Sequence, residues 1–402
     1  MDFIHLAKER GYFHQCTNEE GLKQAFSSKQ VVGYIGFDAT ADSLHVGSLV
    51  QIMMLRLLQR CGHKPLVLMG GGTSRVGDPS FKDEARKLLA LETIEANIQG
   101  IKKAFLPFID FNNAEFVNNE EWLCHLNYMD FLRDYGRHFT INRMLSFDSV
   151  KLRLEREQPL SFLEFNYMIL QGYDFLELNK RYGCVLQMGG SDQWGNIVNG
   201  IELTRKVLSK EVFGLTSPLI TTSGGAKMGK TAQGAVWLNK ERLSSFDYWQ
   251  FWRNTDDADV GPYLRLFTEL PLEEIKKLEA LKDSETNEAK KVLANEATTL
   301  LHGKEGLLSI HERISSLFEG KTGDLTTLER HSVSLNTPLL DVLVQVGFAA
   351  SKGEAKRLIQ GNGIKINDQT VQDFQAVIQG EGGTLLKLSS GKKKHIALDL
   401  IK

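Results

Sequence analysis

Residues 31–62 read VVGYIGFDATADSLHVGSLVQIMMLRLLQRCG. The first seven residues form an apolar run that predicts a buried strand, and the segment from Gly47 to Gly62 has the apolar spacing of a helix. The turn between them carries His45. The start of a helix offers free N–H groups and a positive dipole end to an anion, and a glycine there lets a ligand approach the backbone. The turn is therefore a candidate phosphate site, and a helix-capping turn with an incidental histidine is the alternative.

The first half of the chain continues this alternation of strands and helices. KPLVLMGGG is a second predicted strand running into glycines, and GCVLQMGG (183–190) is another, followed by the helix SDQWGNIVNGIELTRKVL. Apolar strands that alternate with helices predict an α/β fold with a Rossmann-like, doubly wound parallel sheet. In such a fold ligands bind beyond the carboxyl ends of the strands, near the switch point. We place this domain at residues 1–236, with a helical insertion near 82–160.

The rest of the chain changes character twice. Residues 237–320 show helical patterns only and predict an α-helical domain. Residues 321–336 are rich in Gly, Thr and Ser with little apolar periodicity, which predicts a linker. Residues 337–402 contain two short helices, the second opened by Ser351 and Glu354 as a capping box, and then small strands. They predict a small α+β domain.

Composition excludes several classes of protein. The chain has 402 residues, of which 42% are hydrophobic and 24% charged, as in soluble globular proteins. No apolar run approaches the roughly 20 residues of a membrane span, and the amino terminus lacks a signal-peptide apolar region, so we expect a cytoplasmic protein without a membrane partner. The four cysteines are scattered without zinc spacing, which predicts reduced thiols and no metal site.

Charge is unevenly distributed along the chain. Residues 337–402 carry nine basic and six acidic side chains, whereas the remainder carries 39 basic and 44 acidic ones. A basic end on an acidic body indicates a polyanionic partner that docks at the end of the chain.

A second glycine-rich loop, GGAKMGKTAQG, occupies residues 224–234. It matches the P-loop pattern literally, but a P-loop opens a long helix, and here Gly234 interrupts and a short strand follows. We therefore reject a P-loop NTPase. What remains is a loop with Lys227, Lys230 and Thr231, which is either a phosphate-binding loop or a solvated surface loop.

A third loop, GGGTSRVGDPS, occupies residues 70–80 and fails the dinucleotide fingerprint, because Arg75 stands in place of the third glycine. Pro79 favours an extended conformation for Asp78. The loop therefore presents a carboxylate to a ligand, or it is an ordinary Asp-Pro turn.

Together the loops resemble the signatures of the class I aminoacyl-tRNA synthetases. His45-Val-Gly-Ser48 resembles the first signature and Lys227-Met-Gly-Lys-Thr231 the second, in the expected order and strand context. YIGFDATADSLHVGSL, GDPS, NYMILQGYDFL and QMGGSDQWGN resemble bacterial tyrosyl-tRNA synthetases almost residue for residue. SKGEAKRLIQGNGIKIND resembles the RNA-binding domain that ends many of them. The family's first signature usually ends in histidine, where this chain has Ser48.

The resemblance implies a class I catalytic domain, a helical domain on the anticodon side and a C-terminal RNA-binding domain. It implies ligation of L-tyrosine to tRNA(Tyr) with ATP and Mg²⁺, in a homodimer joined through the helical insertion. A tryptophanyl enzyme of the same fold and a non-enzymatic RNA-binding protein are the competing classes. The first predicts neither a phenol-binding pair nor a terminal RNA-binding domain, and the second leaves both signature loops unexplained.

The resemblance also implies a tyrosine site. Three of its members, Tyr167, Gln171 and Asp174, are spaced to share one face of a helix, although buried packing and solvated polar groups give the same spacing. Tyr34 and Asp174 are implied to bind the phenolic hydroxyl. The whole implied set is Tyr34, Asp78, Tyr167, Gln171, Asp174 and Gln187.

The implied ATP site uses the signature loops. Asp192 resembles the residue that binds the ribose hydroxyls, and an N-cap aspartate is its structural alternative. The residues implied to contact ATP are Gly36, Asp38, His45, Gly47, Ser48, Gly189, Asp192, Gln193, Lys227, Met228 and Lys230. Those implied to act in catalysis are Thr40, His45, Lys82, Arg86, Lys227, Lys230 and Thr231.

The tRNA contacts are predicted in the basic terminal domain. Lys352, Lys356 and Arg357 lie on one capped helix, and residues 392–394 form a short lysine run. Cations so placed are typical of phosphate contacts, although such a run is also common on solvated surfaces.

Overall fold

The structure is a computed structural model that describes residues 2–79, 88–225, 228–231, 234–318, 328, 330–380, 385–391 and 394–401. It divides into two compact units, Met1–Leu307 and Leu308–Lys402. The described strands are β1 (Gln15–Cys16), β2 (Val32–Phe37), β3 (Lys64–Met69), β4 (Glu115–Asn118), β5 (Leu186–Gly190), β6 (Phe213–Ser217), β7 (Lys230–Thr231), β8 (Gly234–Ala235), β9 (Arg330–Ser334), β10 (Ile364–Ile366), β11 (Gln369–Thr370), β12 (Leu385–Ser390) and β13 (Lys394–Ile401).

Helices occupy most of the remaining described chain. They are α1 (Phe3–Arg10), α2 (Glu19–Ser28), α3 (Leu49–Arg60), α4 (Leu91–Phe105), α5 (Glu120–Leu123), α6 (Tyr128–Asp134), α7 (Ile141–Leu145), α8 (Asp148–Glu155), α9 (Phe162–Tyr182), α10 (Trp194–Leu208), α11 (Ser245–Arg253), α12 (Asp257–Phe267), α13 (Leu272–Glu279), α14 (Thr286–Phe318), α15 (Leu339–Gln345) and α16 (Lys352–Gln360). Within the described ranges, no helix combines the length and the apolar character that a bilayer crossing requires.

The first unit is built on a six-stranded sheet of order β1-β6-β5-β2-β3-β4. All neighbours are parallel except β1 and β6, which confirms the predicted α/β fold. β2, β3 and β5 are apolar because helices cover both faces of such a sheet. The chain runs outward to one side through β3 and β4 and to the other through β5 and β6, so the switch point lies between β2 and β5.

Two strands at the switch point separate soon after they pair. β2 and β5 are in register only where Gly33 faces Leu186 and Tyr34 faces Gln187. Beyond these pairs the strands diverge toward their carboxyl ends. This divergence opens the crevice in which ligands of doubly wound sheets bind.

The helix predicted from Gly47 begins in two steps. A 3-10 turn spans Val46–Ser48, and the α-helix α3 starts at Leu49. The amphipathic pattern holds, since eight of the α3 residues, including Leu49 and Leu58, are buried.

Two elements differ from the sequence predictions. The predicted helical insertion at 82–160 contains β4, which pairs in parallel with β3 and extends the main sheet. The predicted linker at 321–336 contains β9, which pairs in parallel with β13. Helix α12, with Pro262 inside it, lies within residues 237–320, for which only helices were predicted. Short strands such as Glu115–Asn118 carry too few residues to show a period, and only their partners stabilise them.

The second unit contains a five-stranded sheet of order β11-β10-β12-β13-β9. Its apolar core includes Leu339 and Leu343 of α15, Ile359 of α16 and Leu398 of β13. The predicted capping box is half formed: Ser351 caps the amide of Glu354, but the Glu354 carboxylate accepts from the amide of Ala350, not from that of Ser351.

Candidate active site

A pocket of about 510 Å³ opens where β2 and β5 diverge. Its wall is made by the carboxyl ends of the strands, the turn before α3 and one face of α9. Residues from distant parts of the sequence meet here because parallel strands end at the same edge of the sheet. The lining includes the predicted site residues Tyr34, Gly36, Asp38, Thr40, His45, Gly47, Ser48, Asp78, Tyr167, Gln171, Asp174, Gln187, Gly189, Asp192 and Gln193.

The deep end of the pocket holds Tyr34 and Asp174. Each side chain is 1% exposed. The Tyr34 hydroxyl has no hydrogen-bond partner among the residues described. Burial, and then the Asp174 carboxylate, raise the pKa of Tyr34 well above its usual value. The phenol is therefore neutral and keeps an unused donor and acceptor inside the protein, which costs free energy unless a ligand completes the bond.

Two residues that the sequence analysis missed hold Asp174. Asn119 Nδ2 donates to one carboxylate oxygen at 2.9 Å, and Trp122 Nε1 donates to the other at 2.7 Å. Burial raises the pKa of Asp174 to about 7, and these two donors oppose the rise. Both residues follow β4, so a prediction of that strand is the only sequence signal that could have placed them at the pocket.

Two glutamines present further unused acceptors. The side-chain oxygens of Gln171 and Gln187 are buried and have no partner within the described ranges. Gln171 lies one turn before Asp174 on α9, and Gln187 lies beside Tyr34 on β5. Buried polar atoms are normally paired, so these atoms and the Tyr34 hydroxyl mark a surface built for a polar ligand.

Asp38, which directly follows β2, joins two other residues of the pocket. Its carboxylate accepts the Tyr167 hydroxyl at 3.0 Å and the Thr73 hydroxyl at 2.9 Å. Burial, and then the charges of Asp38 and Asp78, raise the pKa of Tyr167 well above its usual value. An added Cβ at Gly70 would lie 2.4 Å from Asp38 Oδ1, so the glycine gives this carboxylate its room.

The carboxylates of Asp78 and Asp192 both accept hydrogen bonds from the side chain of Gln193. Gln193 Nε2 donates to Asp78 at 3.0 Å and to Asp192 at 3.3 Å, and Asn196 donates to the Gln193 oxygen at 3.1 Å. Asp192 lies in a 3-10 turn before α10, and Gln193, the residue at the N-cap position of α10, makes no side-chain cap bond. Asp192 therefore does not occupy the N-cap position of α10, and it lines the pocket.

The turn before α3 is shaped around its histidine. His45 Nδ1 accepts the backbone N–H of Gly47 at 3.0 Å, and the imidazole packs edge-on to Trp237. A Cβ at Gly47 would lie 2.6 Å from the imidazole, so only glycine fits. The Ser48 N–H donates to the His45 carbonyl at 2.8 Å, and Ser48 and Thr40 both face the pocket.

The second glycine-rich loop lies directly against this turn. Val46 N–H donates to the Val236 carbonyl at 2.9 Å, and Val236 N–H donates to the Gly229 carbonyl at 3.0 Å. A Cβ on Gly229 would lie 2.8 Å from the Gly47 nitrogen, and one on Gly47 would lie 2.8 Å from the Met228 carbonyl. The backbones of two motifs about 180 residues apart in sequence are therefore in contact.

Some predicted residues cannot be placed. Lys82, Arg86 and Lys227 lie outside the described residues. Lys230 and Thr231 form β7, which pairs with β8, but their side chains are not among those described.

The predicted tRNA contacts lie on α16 in the second unit. Lys352 forms an ion pair with Asp341, and the Lys356 ammonium lies 4.1 Å from the centre of the Phe374 ring. Arg357 is exposed. In the predicted lysine run, residues 392–393 lie outside the described part, and residue 394 begins β13.

Family comparisons cover almost the whole chain. A family model described as class I tRNA synthetases (W and Y) matches residues 27–319, and one described as a tyrosine–tRNA ligase SYY-like C-terminal domain matches residues 322–398. The tyrosine–tRNA ligase of Zymomonas mobilis is 59% identical, over 98% of this chain and 97% of that protein. That of Wolbachia pipientis is 57% identical, over 99% of this chain and 97% of that protein.

Solved structures of tyrosyl-tRNA synthetases resemble this chain in fold. A crystal structure of a C-terminally truncated mitochondrial tyrosyl-tRNA synthetase from Aspergillus nidulans superposes with a TM-score of 0.71 at 32% identity. The match covers 79% of this chain and 94% of that one. An Archaeoglobus fulgidus tyrosyl-tRNA synthetase, solved with L-tyrosine, shares the fold with a TM-score of 0.58 at 19% identity.

Proposed function

Since the chain belongs to the class I tRNA synthetases of the tryptophan and tyrosine family, we propose that it is a tyrosine–tRNA ligase whose active site is the pocket between β2 and β5. The observation that carries the choice of tyrosine is the buried Tyr34 hydroxyl, which has no partner in the described chain and lies near the Asp174 carboxylate. A phenolic hydroxyl can donate to Asp174 and accept from Tyr34 at once.

The other polar groups suit the rest of the amino acid. Gln171 presents an unpaired acceptor next to the α9 face that carries Tyr167, and Asp78 lies on the same pocket. A cationic amino group needs such acceptors around it. We assign Asp78, Tyr167 and Gln171 to the amino group and Gln187 to the body of the substrate.

Amino-acid activation needs little covalent chemistry from the protein. A tyrosine carboxylate oxygen attacks the α-phosphorus of ATP, a new P–O bond forms, and the bond to the β-phosphate bridging oxygen breaks to release pyrophosphate. The nucleophile is already ionised at neutral pH, so no general base is required. The protein aligns the two substrates and stabilises charge that develops on the phosphates.

The two signature segments supply that stabilisation. Thr40 and His45 line the pocket at the turn before α3, where the positive end of the helix dipole favours an anion. Because Gly229 of the second segment lies against Gly47, the two segments border the same part of the pocket. We assign Lys227, Lys230 and Thr231 to that side, with Lys82 and Arg86 opposite.

The nucleoside is assigned to the β5 side of the pocket. Asp192 and Gln193 lie at the start of α10, and Gly189 leaves room beside them. A carboxylate accepts hydrogen bonds on two oxygens and can therefore bind two ribose hydroxyls. Gly36, Asp38, Ser48 and Met228 complete the proposed ATP contacts.

Mg²⁺ fits this site as a companion of ATP. Across the described residues, no group of three or more His, Cys, Asp or Glu side chains is arranged to hold a metal. Asp38 already accepts from Tyr167 and Thr73, and Asp78 accepts from Gln193. Mg²⁺ usually binds through substrate phosphates and few protein ligands, and when bound it neutralises phosphate charge.

Transfer to tRNA is assigned to the later parts of the chain. We propose that residues 237–320 form the anticodon-side helical domain and that residues 337–402, with Lys352, Lys356 and Arg357, contact tRNA(Tyr) phosphates. The positive balance of the terminal domain supports this assignment. We place the reaction in the cytoplasm.

A homodimer joined through the helical insertion completes the proposal. Tyr128, Met129, Ile141 and Phe162 are each between 58% and 70% exposed. Exposed large apolar side chains that cluster in the sequence support an interface in this part of the chain. Sedimentation equilibrium tests this, since a monomer at micromolar concentration would contradict it.

ATP–pyrophosphate exchange with each protein amino acid tests the function. We expect exchange with tyrosine alone. Exchange that depends on tryptophan, or no exchange with any amino acid, would contradict the proposal.

A further inference from the structure

The residue before the second signature segment (residues 224–234) makes a contact with a later helix that the proposed reaction does not use. Asp259, the third residue of α12, is 9% exposed. Its carboxylate accepts the backbone N–H of Ser223 at 3.1 Å on one oxygen and 3.0 Å on the other. The Ser223 hydroxyl donates to the same carboxylate at 3.1 Å. Ser223 is the residue directly before the glycine-rich stretch.

The two ends of this segment are held in different ways. At the far end, the backbone of Val236 bonds to Gly229 and to Val46 of the first signature. At the near end, Gly225 N–H donates to the Thr222 carbonyl and Met228 N–H donates to the Ile220 carbonyl, and both of these bonds are local. The contact of Ser223 with Asp259 therefore ties the near end to a helix 36 residues further along the chain.

Behind the segment lies a second pocket of about 600 Å³. It is lined on one side by Thr222 and Val236 and on the other by Phe251, Asp259 and Tyr263. Where a cavity replaces packed side chains, dispersion and apolar burial contribute little. On this side, Asp259 supplies the hydrogen bonds that join Ser223 to α12.

A carboxylate suits this task better than a neutral side chain. It accepts the Ser223 N–H on both oxygens and the Ser223 hydroxyl on one of them, and its charge in the first turn of α12 is stabilised by the helix dipole. An asparagine would offer one oxygen, and its amide protons would oppose the Ser223 N–H. We propose that Asp259 is a positioning residue, which fixes the near end of the second signature segment where that segment acts on the ATP phosphates. This inference rests on the proposed function.

The test compares Asp259→Asn, Ser223→Ala and the matched control Asp257→Asn in the full chain. Asp257 carries the same charge in the same helical turn but is exposed and pairs with Lys290 at 2.5 Å. Hydrogen exchange of peptides containing residue 223 measures the contact between Ser223 and Asp259. ATP–pyrophosphate exchange measures the effect of that contact on amino-acid activation. Ser223 is exposed, so Ser223→Ala changes the anchor without disturbing the core.

We expect Asp259→Asn to speed hydrogen exchange at Ser223 and to lower kcat roughly tenfold to a hundredfold, the effect of losing hydrogen bonds to a charged acceptor. The KM for tyrosine should stay within about a factor of two, because its pocket is untouched. Ser223→Ala should show a smaller loss, and the double variant should be no slower than Asp259→Asn, since the hydroxyl then has no carboxylate to bind.

Faster hydrogen exchange with unchanged kcat would overturn the positioning role, as would equal losses in Asp257→Asn. Unchanged hydrogen exchange at Ser223 in Asp259→Asn would show that Asp259 does not hold Ser223 in place. If the unaltered chain shows no tyrosine-dependent exchange of pyrophosphate, the proposed function fails instead, and the hydrogen exchange at Ser223 alone decides whether Asp259 is the anchor.

Discussion

Tyr34→Phe should stabilise the free protein and at the same time weaken its preference for tyrosine as the substrate. The hydroxyl is buried, and within the part of the chain that is described it has no partner, so the free protein bears the cost of its desolvation. Removing it should raise the free energy of unfolding by about 1 kcal/mol, near the lower end of the penalty for an unsatisfied buried polar group. Most substitutions in a buried core have the opposite sign.

The same substitution should weaken the preference for tyrosine over phenylalanine. Loss of one neutral hydrogen bond to the bound phenol is worth roughly 0.5–1.5 kcal/mol, or about two- to tenfold in the ratio of kcat/KM values. Asp174→Asn removes a charged acceptor, for which roughly 1.5–3 kcal/mol is usual, so its effect on the ratio should be larger, about ten- to a hundredfold.

The assay combines ATP–pyrophosphate exchange with each of the two amino acids and urea unfolding of each variant. Tyr263→Phe is the matched control, because the Tyr263 hydroxyl is also buried without a described partner but lies outside the tyrosine pocket. It should gain stability similarly and leave the ratio unchanged. If Tyr34→Phe lowers stability and keeps the ratio, Tyr34 already has a partner and the phenol is recognised elsewhere.

Four further outcomes follow from the same structure. Lys227→Ala and Lys230→Ala should lower the activation rate strongly in pre-steady-state kinetics and leave tyrosine affinity nearly intact; weaker tyrosine binding at an unchanged rate would contradict their assignment to the phosphates. Ser48→His should change the KM for ATP or the activation rate by no more than about tenfold, since one neutral hydrogen bond is worth roughly 0.5–1.5 kcal/mol; a larger change would show that the pocket is packed around the serine. Truncation after Leu325 should preserve tyrosyl-adenylate formation and abolish most tRNA charging, and normal charging by the truncated protein would exclude the terminal domain from tRNA docking. Burial raises the pKa of Asp174 to about 7, above the roughly 3.9 of an unfolded aspartate. Between these two pH values only the folded state binds the proton, so the Asp174 contribution to the free energy of unfolding falls as pH rises from about 4 to about 7. Urea unfolding at a series of pH values should show that Asp174→Asn loses this part of the pH dependence, and an unchanged dependence would contradict the prediction.

Sequence alone determined the elements that have long, regular patterns and the motifs at their ends. The run that forms β2 and the amphipathic pattern of α3 predicted the parallel sheet, and the two signature loops with the surrounding segments identified the family. The spacing of Tyr167, Gln171 and Asp174 predicted that they share one helix face, and the resemblance implied that they form one site; all three line the pocket. These predictions succeeded because the period of a buried strand or helix is set by local geometry, which neighbouring residues in the sequence record.

Only the tertiary structure decided which short segments become strands and which residues reach the pocket from outside the motifs. β4 and β9 are four and five residues long, and each is stabilised by a partner strand distant in sequence. Asn119 and Trp122, which hold Asp174, reach the site because β4 ends there, and Asp259 reaches Ser223 from a later helix. Such contacts depend on the relative positions of packed elements, and no local period in the sequence encodes those positions.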